Sequence, residues 1–243
     1  MINEYYFTTF FKKKKFKLCM LFIIINILNF WIWEIFKAYF LIGVFLSLIS
    51  ISLFILTFIQ LKSINKVILT LCIIFFCLTS IITVKNNFDP SFKSQNPTEV
   101  KMLNRWHGYF ADGLGFLFTN KLSQNFYAHL FSPLSNYLRN ISYSIDTNLY
   151  FFSSHPREKS GIDEFEKYSP LMLPFFIIGL LIHILALGNY KYLTFYLIGS
   201  ILITGLISPY YKLGPLLLFP YINQVIILGV AGLFRLDSNR NEN

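Results

Sequence analysis

The sequence predicts an all-α integral membrane protein: a polytopic bundle of six transmembrane helices, three plus three, around one long and partly helical extracytoplasmic loop. Composition is the first reason. Of 243 residues 55% are apolar and 14% charged, and the mean hydropathy is +0.54, far from that of a soluble domain. Apolar runs suited to crossing a bilayer recur at 17–35, 38–60, 66–84, 171–189, 191–208 and 213–234. About 20 helical residues, rising about 1.5 Å each, traverse a hydrocarbon core of about 30 Å. None of the runs alternates polar and apolar as a barrel strand does, and backbone amides without water partners are satisfied inside a helix.

The first run follows Lys12, Lys13, Lys14, Lys15 and Lys17, the charge pattern of a signal peptide as well as of a first helix. Trp31, Trp33 and Glu34 stand where a small-residue cleavage site belongs, which favours an uncleaved helix. Lys62 and Lys66 separate the second and third runs, so both basic flanks are assigned to the cytoplasm. Alternation puts Lys191, Arg235 and Arg240 on the same side, while the opposite short turns hold Lys37 and Lys212. Both termini are therefore expected inside a plasma (inner) membrane and the 85–170 loop outside, with Trp31 and Trp33 as an aromatic belt at the outer interface. The expected units are a three-helix segment at 1–84, the loop domain at 85–170, a second three-helix segment at 171–234 and a tail at 235–243.

The loop is too long and too aromatic for a linker, and it carries two helix start signals. Asn96-Pro97 precedes Val100, Leu103, Trp106 and Phe110 at helical spacing. Ser132-Pro133 precedes an apolar stripe of Leu134, Tyr137, Leu138, Ile141 and Ile145, with Ser135, Asn136, Arg139, Asn140 and Ser142 facing elsewhere. Such an amphipathic helix lies on the outer membrane surface or covers the bundle. Asn140-Ile-Ser142 meets the glycosylation pattern but falls inside that helix.

Several function classes recede. The net charge of +9 gathers at helix ends instead of forming a basic patch among exposed aromatics, which argues against nucleic acid. Cys19, Cys72 and Cys77 all lie in apolar runs, so the polar loop has no disulfide framework and no thiolate zinc site. Transport would call for intramembrane charge or broken helices in matching halves, and the spans are nearly free of charge. His107 and Asp112 with His129 or His155 offer imidazole and carboxylate for a divalent metal, but no pair has the spacing of a ligand motif, and no cofactor is expected. His183, Asn223 and Gln224 are polar groups within spans and should face the bundle, not lipid.

The densest polar cluster runs from Ser153 through His155, Arg157, Glu158, Lys159, Gly161, Asp163, Glu164, Glu166 and Lys167 to Tyr168, directly before the fourth span. His155 has the chemistry of a general base, and Arg157 with Lys159 that of a phosphate clamp, the guanidinium binding in a bidentate way. The same residues form a self-neutralising juxtamembrane loop if no ligand is involved.

Asn148-Leu-Tyr-Phe-Phe-Ser-Ser-His155-Pro-Arg157, then Gly161, then Leu171-Met-Leu-Pro174-Phe-Phe-Ile-Ile-Gly179-Leu resembles the loop of C-type membrane glycosyltransferases that re-enters the membrane from outside. Gly199 to Lys212, Pro215 to Pro220 and Gly229 to Leu233 are similar to the final helix pair of that family. The likeness covers about 121–234, with degenerate motifs. It implies a polyprenyl-phosphate-linked sugar as ligand, with Arg157 and Lys212, beside His155 and Lys159, on the lipid phosphate. The family's acidic residue in the first outer loop has one counterpart, Glu34, on an N-terminal half shorter than the family's. Three functions stay open: an accessory envelope protein binding a lipid-linked sugar or polyprenyl phosphate; a compact active glycosyltransferase with Glu34 or Asp112 as catalytic base; and a scaffold whose outer loop binds another envelope protein.

Overall fold

The computed structural model describes residues 2–59, 65–89, 92, 132–152, 165–207 and 213–234, with the backbone alone for 2–14 and 132. Every regular element among them is helical: α1 (Ile2–Ile27), α2 (Phe30–Ala38), α3 (Phe40–Phe54), α4 (Asn65–Asn87), α5 (Ser132–Ile145), α6 (Asn148–Phe151), α7 (Leu173–Leu185), α8 (Lys191–Thr204) and α9 (Phe219–Leu233). A π turn, Ile55–Ile59, continues α3, and 3-10 turns at Pro170–Met172 and Leu216–Leu218 lead into α7 and α9. The extended pairing among these residues is an isolated antiparallel bridge between Phe88 and Ile207.

Three of these helices are long and apolar enough to cross a membrane: Phe40–Ile59 with 20 residues, Asn65–Asn87 with 23 and Leu216–Leu233 with 18. Six runs were expected, and local chemistry accounts for the difference. The first is broken, since Lys15–Ile27 and Phe30–Ala38 meet at a 56° bend and make a fourth span if taken together. Asn29 causes the break. Its backbone is extended (φ −84°, ψ 111°) and its Oδ1 accepts from the Trp31 amide at 2.8 Å, so it caps a new helix. The fourth and fifth runs form the shorter helices Pro170–Leu185 and Lys191–Thr204, parted by a turn over 186–190. At 14 residues α8 is about 21 Å long.

The core is α9. From Phe219 to Gly229 every residue is buried, as is Ala231, which suits a helix apolar nearly all round. It packs most extensively on α7 and also on α3 and α1, while α4 lies against α3. Outward faces are apolar: Ile23 and Ile24 of α1, Ile74 and Ile81 of α4, Leu181 of α7 and Phe195 of α8 are exposed. Polar side chains point inward instead, and His183, Asn223 and Gln224 are buried as the sequence predicts. Asn223 Nδ2 donates to Asn26 Oδ1 at 2.8 Å, and Gln224 Nε2 to the Ser50 carbonyl at 2.9 Å. His183 joins α7 to α9 through Tyr221 Oη at 3.1 Å and to α8 through Thr194 Oγ1 at 3.0 Å.

Chain ends sort themselves along the bundle. At one end the α1–α2 break, the end of α4, the end of α8 and the approaches to α7 and α9 meet. Asp89 N donates to the Leu206 carbonyl at 3.1 Å, Trp31 Nε1 to that of Leu213 at 2.7 Å, and Tyr168 Oη to that of Phe219 at 3.4 Å. Away from it, Lys15 Nζ of α1 donates to the carbonyl of Ile59 after α3 at 3.2 Å.

Candidate functional site

The site is built at the crowded end by α5, which seats itself with its polar side. Asn136, Asn140 and Ser144, spaced four residues apart on one helical face, are 7%, 2% and 3% exposed, whereas Leu134, Leu138 and Ile145 are about half exposed. The stripe foreseen as apolar thus has its centre facing outward. Hydrogen bonds explain the choice: the ends of α4 and α8 offer acceptors that only polar side chains satisfy. Asn140 Nδ2 donates to Asp89 Oδ2 at 2.8 Å and to the Gly205 carbonyl at 3.2 Å, and Tyr137 Oη donates to the Leu202 carbonyl at 2.7 Å. With Asn140 buried and bonded, the Asn-Ile-Ser pattern presents no free amide for glycosylation.

Beside α5 the segment 165–168 folds back on α6. Tyr168 N donates to the Tyr150 carbonyl at 2.9 Å, and Tyr150 Oη in turn to that of Ser144 at 2.5 Å. Lys167 is 2% exposed, its Nζ donating to the Leu149 carbonyl at 2.9 Å and standing 5.5 Å from the Phe165 ring. Gly214 makes room for that side chain. Its φ of +69° favours glycine, and a Cβ there would stand 2.7 Å from Lys167 Cε.

Trp31 closes the seat from below. Expected at the outer interface, it is 0% exposed, its ring 5.6 Å from Tyr150, 5.9 Å from Tyr168 and 5.6 Å from Phe219. Indole burial at that density is worth more than an interfacial position, provided the N–H has a partner, and Leu213 supplies one. Trp33 stays 52% exposed. Burial pushes the Tyr150 phenol well up, helped by Tyr168 and Asp146; burial also raises Tyr168. Both are neutral donors at ordinary pH.

Between α5 and the chain entering α9 lies a small open cleft lined by Asn140, Tyr143, Ser144, Leu149, Thr204, Ile207, Gly214 and Pro215. Asn140 Oδ1, buried here, has no hydrogen-bond partner.

Of the residues singled out in the sequence, Glu34 sits on α2 with its carboxylate paired to Lys37 at 2.5 Å, and its side chain is 37% exposed. Asp112, His155, Arg157, Lys159 and Lys212 lie outside the described residues, as does the helix foreseen after Asn96-Pro97. No three His, Cys, Asp or Glu gather as a metal-binding group among the described residues. Asp89, Asn140, Lys167 and Trp31 build the observed site and were not selected as site residues from the sequence. Their signals were a polar residue at every fourth position of α5 and a lysine just before a proline-started span. Comparison with protein-family models, curated proteins and solved structures finds no match to this chain.

Proposed function

We propose that this is a multi-pass envelope membrane protein that binds a polyprenyl-phosphate-linked sugar, or the polyprenyl phosphate itself, at the extracytoplasmic end of its bundle. One observation carries the reading. Residues 89 and 132, 152 and 165, and 207 and 213 flank the segments that bear Asp112, then His155, Arg157 and Lys159, then Lys212, and their neighbours are hydrogen-bonded to one another at one end. Lys212 directly precedes Leu213, whose carbonyl holds Trp31. In the sequence, the expected phosphate-binding cations are thus borne by segments whose described flanks belong to the seat. The outward apolar face of α5 beside it suits the tail of an amphiphile.

Six crossings would follow if α1, α4 and α8 ran toward the seat and α3, α7 and α9 away from it. The short α7 and α8 would then be accommodated by local thinning of the bilayer. Glu34 pairs with Lys37 at the protein surface. The test is lipid binding in nanodiscs by wild type, Arg157→Ala, Lys212→Ala and Glu34→Ala. Saturable binding that weakens at least tenfold without Arg157 or Lys212 but survives loss of Glu34 is expected; binding by none of the four refutes the reading. A second reading is favoured by the exposure of Leu134, Leu138 and Ile145: a scaffold that docks an envelope protein on α5.

A further inference from the structure

We infer that the cleft beneath α5 is a subsite for a sugar hydroxyl, received as a hydrogen-bond donor, and that Asn140 is its reader. The inference rests on the proposed lipid-linked sugar and assigns its glycan end. The amide of Asn140 has one sensible orientation. Nδ2 faces two acceptors, Asp89 Oδ2 at 2.8 Å and the Gly205 carbonyl at 3.2 Å, so a flipped amide would set oxygen against oxygen. Both N–H groups are used, and Oδ1 is left as a buried acceptor without a partner. Such an atom costs stability unless a donor arrives.

Two neighbouring hydroxyls, those of Ser144 and Thr204, have the same polarity. Ser144 Oγ spends its hydrogen on the Ile141 carbonyl at 2.7 Å, and Thr204 Oγ1 spends its own on that of Ser200 at 2.6 Å. What these three groups offer the cleft is lone pairs. A phosphate brings only lone pairs of its own at neutral pH and is disfavoured here. A hydroxyl brings a hydrogen and fits the tight inner space, while the apolar lining from Leu149, Ile207 and Pro215 suits the C–H face of a sugar ring. The acceptor-lined cleft thereby selects a sugar hydroxyl over a phosphate.

The test leaves Asn140 intact, because it also anchors α5, and uses Ser144→Ala with Thr204→Val. Affinities of wild type and double variant are measured in nanodiscs for a polyprenyl-phosphate sugar, for the sugar-free polyprenyl phosphate and for an ethanolamine lipid. The preference of wild type for the glycosylated lipid is expected to shrink about tenfold in the double variant, equivalent to about 1.4 kcal/mol. An unchanged preference, or tighter binding of the ethanolamine lipid than of the sugar, overturns the inference. If neither polyprenyl lipid binds, the parent reading fails, and the subsite is assayed separately by saturation-transfer NMR with free hexose. A hexose signal from wild type that weakens in the double variant upholds the subsite; no signal, or equal signals, refutes it.

Discussion

Gly179 of α7 and Gly229 of α9 meet backbone to backbone: a Cβ on Gly179 would stand 2.8 Å from the Gly229 amide nitrogen and collide with the Val225 carbonyl oxygen, and one on Gly229 would collide with that of Phe175. Small residues at such seams let helices approach where lipid supplies no hydrophobic drive. Gly229→Ala must therefore push the two helices apart. A loss of about 3 kcal/mol is expected, read as unfolding in mixed micelles of graded denaturing detergent. Gly188, with nothing within 4 Å of an added Cβ, is the control and should tolerate alanine. Equal losses at both positions would refute the close seam.

Trp31→Phe keeps a ring among Tyr150, Tyr168 and Phe219 but leaves the Leu213 carbonyl without its donor. About 1–3 kcal/mol should be lost, and Trp31→Ala should cost about 3–5 kcal/mol through the cavity it opens. Trp33→Phe, at an exposed position, should cost under about 0.5 kcal/mol. If the two tryptophans proved equally sensitive, the burial of Trp31 would be wrong.

Burial raises the Tyr150 and Tyr168 phenols above their ordinary value of about 10. The unfolded chain then loses these protons first as pH rises, so their contribution is complete below about pH 10 and is lost progressively above it. Stability measured from pH 7 to 11 should fall above about pH 10 in wild type. In the double variant Tyr150→Phe, Tyr168→Phe that part of the fall should vanish. An unchanged pH profile would count against their burial.

A nitroxide at Leu138 should be relaxed more by oxygen than by a water-soluble nickel complex, and one at Ser142, also exposed, should show the smaller preference. That ordering places the apolar face of α5 in the membrane surface. Preference for nickel at Leu138 would stand the helix in water and favour a protein partner instead.

In a chain freed of Cys19, Cys72 and Cys77, a cysteine at Ser160 should react with an impermeant thiol reagent from outside and one at Asn65 should not. The reverse pattern would invert the orientation, and with it the side on which the seat lies.

Helical class and the inward-facing polar groups were legible because both follow from local rules: apolar runs demand helices, and His183, Asn223 and Gln224 cannot face lipid cheaply. The breaking of the first run was legible in principle at Asn29, a capping residue hidden inside an apolar stretch. The seat was not. Trp31 finds its acceptor 182 positions away, and Asn140 its carboxylate 51 positions away, so no window of the sequence contains both partners. The orientation of α5 likewise depended on which acceptors other helices left open, which its own amphipathic pattern does not encode.

The burial of α9 on all sides has a consequence for biosynthesis. A helix on which α1, α3 and α7 pack emerges from the ribosome after them. Until it arrives, Asn26, Ser50 and His183 wait in the nascent bundle without Asn223, Gln224 and Tyr221. Those side chains gain their partners only once Tyr221, Asn223 and Gln224 have been synthesised, so the packing around α9 follows translation of that helix and cannot precede it.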